Sequence, residues 1–452
     1  MQPVPVRRAV LALIITLVIA IGPAYSSMAS SVGQSGPSPT PEYFLMRGVQ
    51  RAMASDYSGA ADDFTEALRL NPDYTDAYLA RGEARRALED YDGALADFTQ
   101  ALTIRPDLTT AYVYRGIVLA QLMDLHGAID DFTQALQLAP SLAEANVLRG
   151  EARMALLALP EAVVDFQVAL QARPDLAEAH ASLGGAYVMQ GNFDAAMPEL
   201  DGAVELSPTT AWVYRARGAA YMAQGDAAIA IQDFSRAIQR APEFAALYVD
   251  RGLARNRLGD TTAAAEDVQR AVDLYQAQGN AIGHQTALGA LRLIRDRPPA
   301  GTAESAPAVS ATDALTPAGV REQFFAARNH GDVAAMLALF TDDAVLEGVP
   351  GTRAVGRPAI QQVLETDAVS GTRITVLDAQ VAGNAETGHY EDRADAVQAS
   401  GADRIRGSYR LETRDGRIAL YHEEADFSDP QTVQYLRAGM RVVMPPTSQD
   451  TR

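Results

Sequence analysis

Four side chains in the last quarter of the chain could carry out acid–base chemistry. They are Asp342, Tyr409, His422 and Glu424. A histidine and a carboxylate that face a dry pocket can pass a proton to and from a substrate. We therefore take these four residues as the candidate catalytic groups, with His422 and Glu424 at the centre.

Their placement depends on the strand predicted for residues 417–427. Alternation of side chains along a strand puts His422, Glu424 and Asp426 on one face. The same face carries Ile418 and Leu420. Three polar residues near the end of a strand equally fit a wet sheet edge. The sequence leaves catalysis and a solvated edge both open.

The elements around these residues are mixed. An Asp415-Gly416 pair between two alternating runs, 404–413 and 417–427, is a strong hairpin signal. Helical spacing predicts helices at 318–329, 333–340 and 358–366, and alternation predicts strands at 344–346, 373–382 and 388–397. Asp342 lies where a helix ends and a strand begins, which also suits a capping role.

This order of elements resembles the nuclear transport factor 2-like superfamily, particularly its SnoaL-like branch. The residues that carry the resemblance are 325–332 (FAARNHGD), 339–345 (LFTDDAV) and 356–360 (GRPAI). The resemblance implies a cone-shaped α+β fold with a pocket between helices and sheet. That superfamily includes isomerases, cyclases and dehydratases, and also non-catalytic modules that dimerise or bind a ligand, so the fold does not choose between them.

A different pattern fills the preceding half of the chain, where seven segments repeat with a period of 34 residues. Glycine recurs at Gly48, Gly82, Gly116, Gly150, Gly184, Gly218 and Gly252, and proline closes six segments at Pro72, Pro106, Pro140, Pro174, Pro208 and Pro242. Fixed periods of this length indicate a helical repeat array. Small residues allow two helices to cross closely, and a phenylalanine column (Phe64, Phe98, Phe132, Phe166 and Phe234) is predicted to fill the space between repeats.

The pattern resembles the tetratricopeptide repeat (TPR) family. In the third segment the matching residues are Ala111-Tyr112, Arg115-Gly116, Ala128-Ile129, Asp131-Phe132, Ala135-Leu136 and Pro140. The resemblance implies antiparallel helix pairs stacked into a right-handed superhelix, with the first helix of each pair lining a concave groove. The predicted fold is therefore multidomain: an all-α superhelix of seven helix pairs plus a capping helix, then an α+β cone-shaped nuclear transport factor 2-like domain.

By the same resemblance, the groove is the predicted binding surface. Its lining would include Leu79, Glu83, Arg86, Val113, Ile117, Val147, Glu151, Met154, Val188, Trp212, Arg215 and Met222. Apolar patches among acidic residues predict a protein or peptide partner that is amphipathic or basic. Trp212 is either an anchor for that partner or a cover for the seam between repeats.

Two charged columns repeat with the array. Arginine recurs at Arg47, Arg81, Arg115, Arg149, Arg217 and Arg251, and aspartate at Asp63, Asp97, Asp131, Asp165, Asp233 and Asp267. The fifth repeat departs at both places, with Leu183 and Glu199. Because the two departures coincide, we interpret the columns as ion pairs within each repeat.

Composition narrows the function further. The formal net charge is −19, which disfavours nucleic acid as a partner. All 38 basic residues are arginine, and the chain has no cysteine, so no disulfide or thiolate metal site can form. No motif for a cofactor or a metal is apparent, and we predict neither. A homodimer formed through the C-terminal domain remains open.

The amino terminus predicts export. Arg7 and Arg8 precede an apolar run of 14 residues, Ala9–Gly22, and small residues follow, as in a secretory signal peptide. Cleavage would follow Ser26 or Ala29; the alternative is an uncleaved membrane anchor. Either way the rest of the chain, which we take as bacterial, would be secreted, periplasmic or held outside the membrane.

These observations give a complete division of the chain. We predict a signal peptide or anchor at 1–29, a linker at 30–40, seven TPR units at 41–278, a capping helix at 279–296, a Pro/Ala/Ser linker at 297–314, a SnoaL-like domain at 315–430 and a C-terminal tail at 431–452.

Overall fold

The computed structural model describes residues 39–295, 316–348 and 352–443. The described chain forms two compact units that divide between Ala152 and Arg153. The predicted signal peptide or anchor and the predicted linker at 297–314 lie outside the described residues. No described helix is long and apolar enough to cross a membrane.

Fourteen helices in seven consecutive pairs confirm the predicted repeats, and a fifteenth helix is at the predicted cap. The helices are α1 (Pro41–Met53), α2 (Tyr57–Leu70), α3 (Thr75–Ala87), α4 (Tyr91–Ile104), α5 (Thr109–Gln121), α6 (Leu125–Leu138), α7 (Ala143–Ala155), α8 (Leu159–Ala172), α9 (Ala177–Met189), α10 (Phe193–Leu206), α11 (Ala211–Gln224), α12 (Ala227–Arg240), α13 (Ala245–Arg257), α14 (Thr261–Ala277) and α15 (Ala281–Arg295).

The turn inside each pair has a recurring physical basis. Asp56, Asp90 and Asp124 each accept a hydrogen bond from the backbone N–H three residues on, at 2.9–3.1 Å, and so cap the second helix. The residue before each cap has a left-handed backbone, and at the fifth to seventh repeats that residue is a glycine. The same turn therefore recurs every 34 residues.

The glycine column allows close helix crossing. A Cβ added at Gly82 would lie 2.6 Å from Cε1 of Phe98, the phenylalanine of the same repeat. The ring of Phe98 also lies 5.8 Å from the ring of Tyr114 in the next repeat. The phenylalanine therefore packs both within its repeat and against its neighbour.

The charged columns pair as predicted. The shortest distances between guanidinium nitrogen and carboxylate oxygen are 2.5 Å for Arg47–Asp63, 2.7 Å for Arg81–Asp97, Arg115–Asp131 and Arg217–Asp233, and 2.6 Å for Arg251–Asp267. Each of these aspartates is buried. The arginine also reaches the preceding repeat, as where Arg81 donates to Oγ1 of Thr65 at 3.1 Å. These bonds join repeats as well as the two helices of one repeat.

The fifth repeat uses a different pair. Nδ1 of His180 lies 2.6 Å from Oε2 of Glu199, while Leu183 takes the place of the arginine. A proline, Pro198, stands inside α10 and removes a backbone donor there. Leu200 replaces the phenylalanine against Gly184.

The C-terminal domain is a six-stranded sheet with helices packed on it. Its elements are α16 (Pro317–His330), α17 (Val333–Ala338), β1 (Phe340–Gly348), β2 (Thr352–Val355), α18 (Arg357–Ser370), β3 (Ile374–Ala382), β4 (Ala385–Asp392), α19 (Asp395–Ala399), β5 (Ile405–Arg414), β6 (Arg417–Ala425) and α20 (Pro430–Val443). The strand order is β2-β1-β6-β5-β4-β3, with β1 parallel to β6 and the other neighbours antiparallel.

Several elements differ from the sequence-based prediction: β2 was not predicted, and β1 is longer than the predicted strand at 344–346. The strand predicted at 388–397 is β4 and ends at Asp392, and α19 follows it. The predicted tail begins with a helix, α20, because Asp429 caps it and Thr432 accepts a hydrogen bond from the backbone of Arg406. The predicted β5–β6 hairpin is present, and Asp415 and Gly416 both have the positive φ angles that such a turn needs.

The core of this domain is aromatic. Phe324 of α16 packs on Phe340 and Tyr421, and Phe325 packs edge-on against Tyr409, with ring centres 4.9–5.6 Å apart. These contacts fix α16 across the inner face of the sheet.

Candidate functional site

The predicted groove positions lie on the first helices of the repeats, and we call this surface the first-helix face. Packing between neighbouring repeats takes up part of it. Leu79, Glu83, Arg86, Val147, Met154 and Met222 are buried, whereas Val113, Ile117, Glu151, Val188, Trp212 and Arg215 are half-buried. Apart from Val188, which packs against the core of the C-terminal domain, the half-buried group is the part that a partner can reach.

Charges on this face neutralise one another. Arg86 donates two hydrogen bonds to Glu83 at 2.8 and 2.9 Å, and both side chains are 3% exposed. Arg215 donates to Asp250 of the next repeat at 2.6 Å. Glu83 therefore does not present a free carboxylate to a basic partner, and what these positions offer is mainly apolar.

Trp212 is half-buried at the seam between repeats. It packs against a buried cluster that contains Ala181, Tyr214 and Phe244. This contact supports the seam interpretation of Trp212.

The four candidate catalytic residues do not converge. Nδ1 of His422 lies 3.1 Å from Glu347, Glu424 is exposed, and Asp342 is exposed with Arg357 at 3.4 Å. Tyr409 is buried in the domain interior. Tyr409 faces the interior, whereas His422 and Glu424 lie on the opposite face of the sheet.

The predicted face of β6 holds for Leu420, His422 and Glu424, but Ile418 lies on the opposite face because of a register shift. In the β5–β6 pairing Glu412 opposes Leu420 but Thr413 opposes Ile418, so the alternation changes phase at Ala419. Tyr421, rather than His422, consequently points into the core. A bulge of one residue leaves no signal in an alternating pattern of this length.

An open cleft of about 460 Å³ lies between α16 and β3, and we call it the α16–β3 cleft. Its lining is Arg321, Glu322, Phe325, Val376, Leu377, Asp378 and Ala379. Apolar walls with a few charged groups are typical of small-molecule sites.

Arg321 connects the cleft to a buried carboxylate. Its Nη1 lies 3.1 Å from Oε1 of Glu386, which also accepts a 2.7 Å hydrogen bond from the hydroxyl of Tyr409. Glu386 is 1% exposed, and in the described part of the chain its Oε2 has no hydrogen-bond partner. Burial and the adjacent Glu386 raise the pKa of Tyr409 above its usual range, so the hydroxyl stays protonated and donates.

A second buried group, the Arg328 cluster, consists of Arg328, Asp367, Tyr421 and Glu423. Arg328 donates to both oxygens of Asp367 at 2.6 and 2.9 Å and to Glu423 at 2.9 Å. It also donates to the Tyr421 hydroxyl at 3.2 Å. A fully paired arginine of this kind joins α16, α18 and β6, which is a structural role.

Asp392 lies beside that cluster and is 4% exposed. Burial raises its pKa from 3.8 to about 6, although the backbone N–H of Arg373 donates to it at 2.7 Å. Asp392 is therefore charged at neutral pH in an environment that disfavours charge.

Sequence reasoning missed Glu386 and Arg328. Alternation in β4 puts Glu386, Gly388 and Tyr390 on one face, but the predicted strand began at Gly388 and left Glu386 out. Arg328 lies in an amphipathic helix, and the sequence pattern of that helix does not distinguish it from an arginine on the surface. Among the described residues, no group of three His, Cys, Asp or Glu side chains could hold a metal ion.

The architecture defines a helical-repeat protein that carries an α+β sheet domain. Residues 46–109 and 215–279 match the tetratricopeptide repeat family model, and residues 185–225 match a second TPR repeat model. Residues 321–421 match the SnoaL-like domain model. The chain thus contains tetratricopeptide repeats followed by a SnoaL-like domain, as the sequence analysis expected, and the repeats indicate a protein-interaction scaffold.

Solved structures resemble the repeat part. A tetratricopeptide repeat protein from Parabacteroides merdae ATCC 43184 is 22% identical, covers 52% of this chain and 93% of its own, and has a TM-score of 0.47. MamA from Desulfovibrio magneticus RS-1 is 21% identical, covers 38% of this chain and 98% of its own, and has a TM-score of 0.36. A comparison with curated proteins gives no match.

Proposed function

We propose that this protein is an exported scaffold whose repeats hold a protein or peptide segment on the first-helix face. The observation that carries the proposal is the pair Val113 and Ile117 on α5. These two apolar side chains lie one turn apart and are half-buried, whereas Val147, at the position of Val113 in the next repeat, is 1% exposed. An apolar pair left partly open on a repeat surface suits an apolar anchor from a partner.

The chemistry of the partner follows from charge. The opposite charges of Glu83 and Arg86 neutralise each other, so the contact surface itself is mainly apolar. The whole chain carries a net charge of −19. Long-range repulsion then disfavours acidic partners and favours neutral or basic ones. An amphipathic segment with a basic outer face meets both conditions.

The test uses the full chain with Val113→Asp and Ile117→Asp together. The two new carboxylates would stand where an apolar anchor is expected to bind. They should abolish recovery of the partner in a crosslinking pull-down from the native envelope, and the array should remain folded because both positions are only half-buried. Val164→Asp is the matched control, because Val164 is a valine that is 54% exposed on a second helix. Equal capture by both variants would place the binding surface elsewhere.

For the C-terminal domain we propose a small-ligand site at the α16–β3 cleft. The cleft favours a ligand with an apolar body and a polar group, because its lining combines Phe325, Val376 and Leu377 with the charged side chains of Arg321, Glu322 and Asp378. Dimerisation through the sheet is the competing role. It is less favoured because the outer sheet face exposes polar side chains such as Thr387, His389 and Arg410.

An enzyme of isomerase, cyclase or dehydratase type is the alternative for this domain. Glu386 and Tyr409 would then be its acid–base pair, since they touch each other in the interior and Arg321 links them to the cleft. Turnover of a bound ligand that is lost in Tyr409→Phe, with ligand affinity retained, would support the enzyme. Binding without turnover supports the ligand-binding role.

A further inference from the structure

The C-terminal domain contacts the array inside the second compact unit. Strand β2 contacts α9, helix α18 contacts α11 and α15, and helices α19 and α20 contact α15. The helices α9 and α11 are the first helices of the fifth and sixth repeats. The domain meets the first-helix face at Val188, which packs against the core of the domain.

Three of these contacts come from one repeat position. Met189, Ala223 and Arg257 are 34 residues apart and stand at the ends of α9, α11 and α13. The carbonyl of Met189 accepts from Nη1 of Arg353 at 2.5 Å. Ala223 is part of the buried apolar core of the C-terminal domain.

Arg257 supplies the charged contact. Its Nε lies 3.2 Å from Oε2 of Glu365 on α18, and the two side chains are 9% and 8% exposed. Nη1 of Arg257 also donates to the carbonyl of Met222 at 2.9 Å, and Gln361 donates to Glu365 at 2.7 Å. The same position in the first four repeats carries Met53, Ala87, Gln121 and Ala155, so the charge is particular to the seventh repeat.

Small residues allow the approach. A Cβ at Gly225 would lie 3.6 Å from Cβ of Pro358, the second residue of α18, and a Cβ at Gly191 would lie 3.0 Å from Cβ of Val355. Gly259, at the equivalent position of the seventh repeat, has nothing within 4 Å. Most of the contact between the domain and the array is with the capping helix α15. The fifth and sixth repeats add the contacts of α9 with β2 and of α11 with α18, and Arg257 supplies a buried ion pair.

We propose that the C-terminal domain is an intrachain occupant of the first-helix face, which it covers at Val188 in the fifth repeat until a partner displaces it. The proposal rests on the proposed function, because it requires a partner segment that extends along this face from Val113 and Ile117 to Val188. The aromatic contacts of the domain's core lie within the domain, and the array adds Ala223 and Val188 at its edge. Because both parts belong to one chain, the domain rebinds intramolecularly when the partner leaves.

Docking can be locked with a disulfide, since the full chain has no cysteine of its own. Gly225→Cys with Pro358→Cys should form an intramolecular disulfide on mild oxidation, because a Cβ separation of 3.6 Å suits one. Gly259→Cys with Pro358→Cys is the matched control, with the same left-handed backbone at the glycine but no neighbour. Failure of the first pair to crosslink, or equal crosslinking of the control, would overturn the docking.

Charge reversal tests whether the Arg257–Glu365 ion pair holds the domain against the array. Glu365→Arg in the Gly225→Cys, Pro358→Cys background should lose most of the crosslinking and increase the radius of gyration in X-ray scattering. Arg257→Glu added to it restores the opposite charges and should restore both readings. The dye bis-ANS should bind more strongly to Glu365→Arg than to the oxidised locked chain, because release exposes the apolar surface at Ala223. Unchanged scattering, crosslinking and dye binding in Glu365→Arg would contradict the proposal.

These three readings need no partner, so they separate this inference from the proposed function. Loss of partner capture in Val113→Asp, Ile117→Asp tests the function alone. If the captured partner binds the disulfide-linked form of Gly225→Cys, Pro358→Cys with the same affinity as the reduced form, the partner does not displace the domain. That result would overturn the displacement. A weaker capture by the disulfide-linked form supports it.

Discussion

A Cβ placed on Gly116 would lie 2.7 Å from Cε1 of Phe132, a separation at which one of the two must move. The contact recurs between Gly48 and Phe64 and between Gly218 and Phe234. The glycine column is therefore a packing requirement of the helix crossing and not a consequence of chain flexibility.

We expect Gly116→Val to destabilise the chain by about 1–3 kcal/mol, because an overpacked crossing forces the phenylalanine or the backbone to shift. Urea unfolding followed by circular dichroism measures it. Gly185→Ala is the control, since a Cβ there meets nothing within 4 Å. It should be neutral or stabilising by up to about 1 kcal/mol. Equal stability of the two variants would refute the packing argument.

Arg217→Ala should cost about 2 kcal/mol, because the carboxylate of Asp233, which is 1% exposed, loses two hydrogen bonds and keeps the one from Arg236 at 3.0 Å. Arg69→Ala is the comparison. Arg69 pairs with Glu66 at 2.8 Å, but the side chains are 65% and 43% exposed. Solvent screens that pair, so its loss should cost less than about 1 kcal/mol. Similar shifts in the urea midpoint would mean that burial does not decide the strength of these pairs.

Asp392→Asn should stabilise the C-terminal domain at pH 7.5 by up to about 3 kcal/mol, since its pKa rises from 3.8 to about 6 on folding. Above pH 6 the aspartate is charged in both states and the cost of burying that charge is complete. Below about pH 4 it is protonated in both states and the cost vanishes. The stability gap between variant and wild type should therefore widen as pH rises from 4 to 6.

Calorimetry at pH 4, 5, 6 and 7.5 checks this, with Asp403→Asn as the exposed control. A gap that does not change with pH would show that Asp392 folds with an ordinary pKa.

The export proposal predicts a shortened mature protein. Intact-mass analysis of the protein from its native host should give a chain that begins at Ser27 or Ser30. A chain that keeps Arg7, Arg8 and the run Ala9–Gly22 in a membrane fraction would favour the uncleaved anchor. The full-length chain in the cytosol would contradict export in either form.

Much of the array could be predicted from the sequence, because each helix pair makes the same set of contacts between the same residue types. Gly116, Phe132, Arg115 and Asp131 each recur at the same spacing, and columns of this kind report contacts directly. The C-terminal domain offers one copy of each contact. There, the hairpin at Asp415-Gly416 was predictable because its turn is local.

The sequence did not predict which side chains of β6 face the core, because the bulge at Ala419 adds one residue to the strand and has no signature in the amino-acid composition. The pairing of Arg257 with Glu365 joins residues 108 positions apart. This pair depends on how the folded C-terminal domain packs against the folded array, and a periodic sequence pattern contains no information about that packing. The same holds for Glu386, whose importance comes from Arg321 and Tyr409 on other elements.

The fifth repeat has a consequence for how the array comes apart. In stacked repeats cooperativity passes only between neighbours. In the fifth repeat, His180–Glu199 replaces the arginine pair and Leu200 replaces the phenylalanine that its neighbours use, and Pro198 removes one backbone donor from α10. We expect the fifth repeat to open first, which would make it the earliest site of proteolytic cutting. It would also be the point at which unfolding of the array separates into two steps.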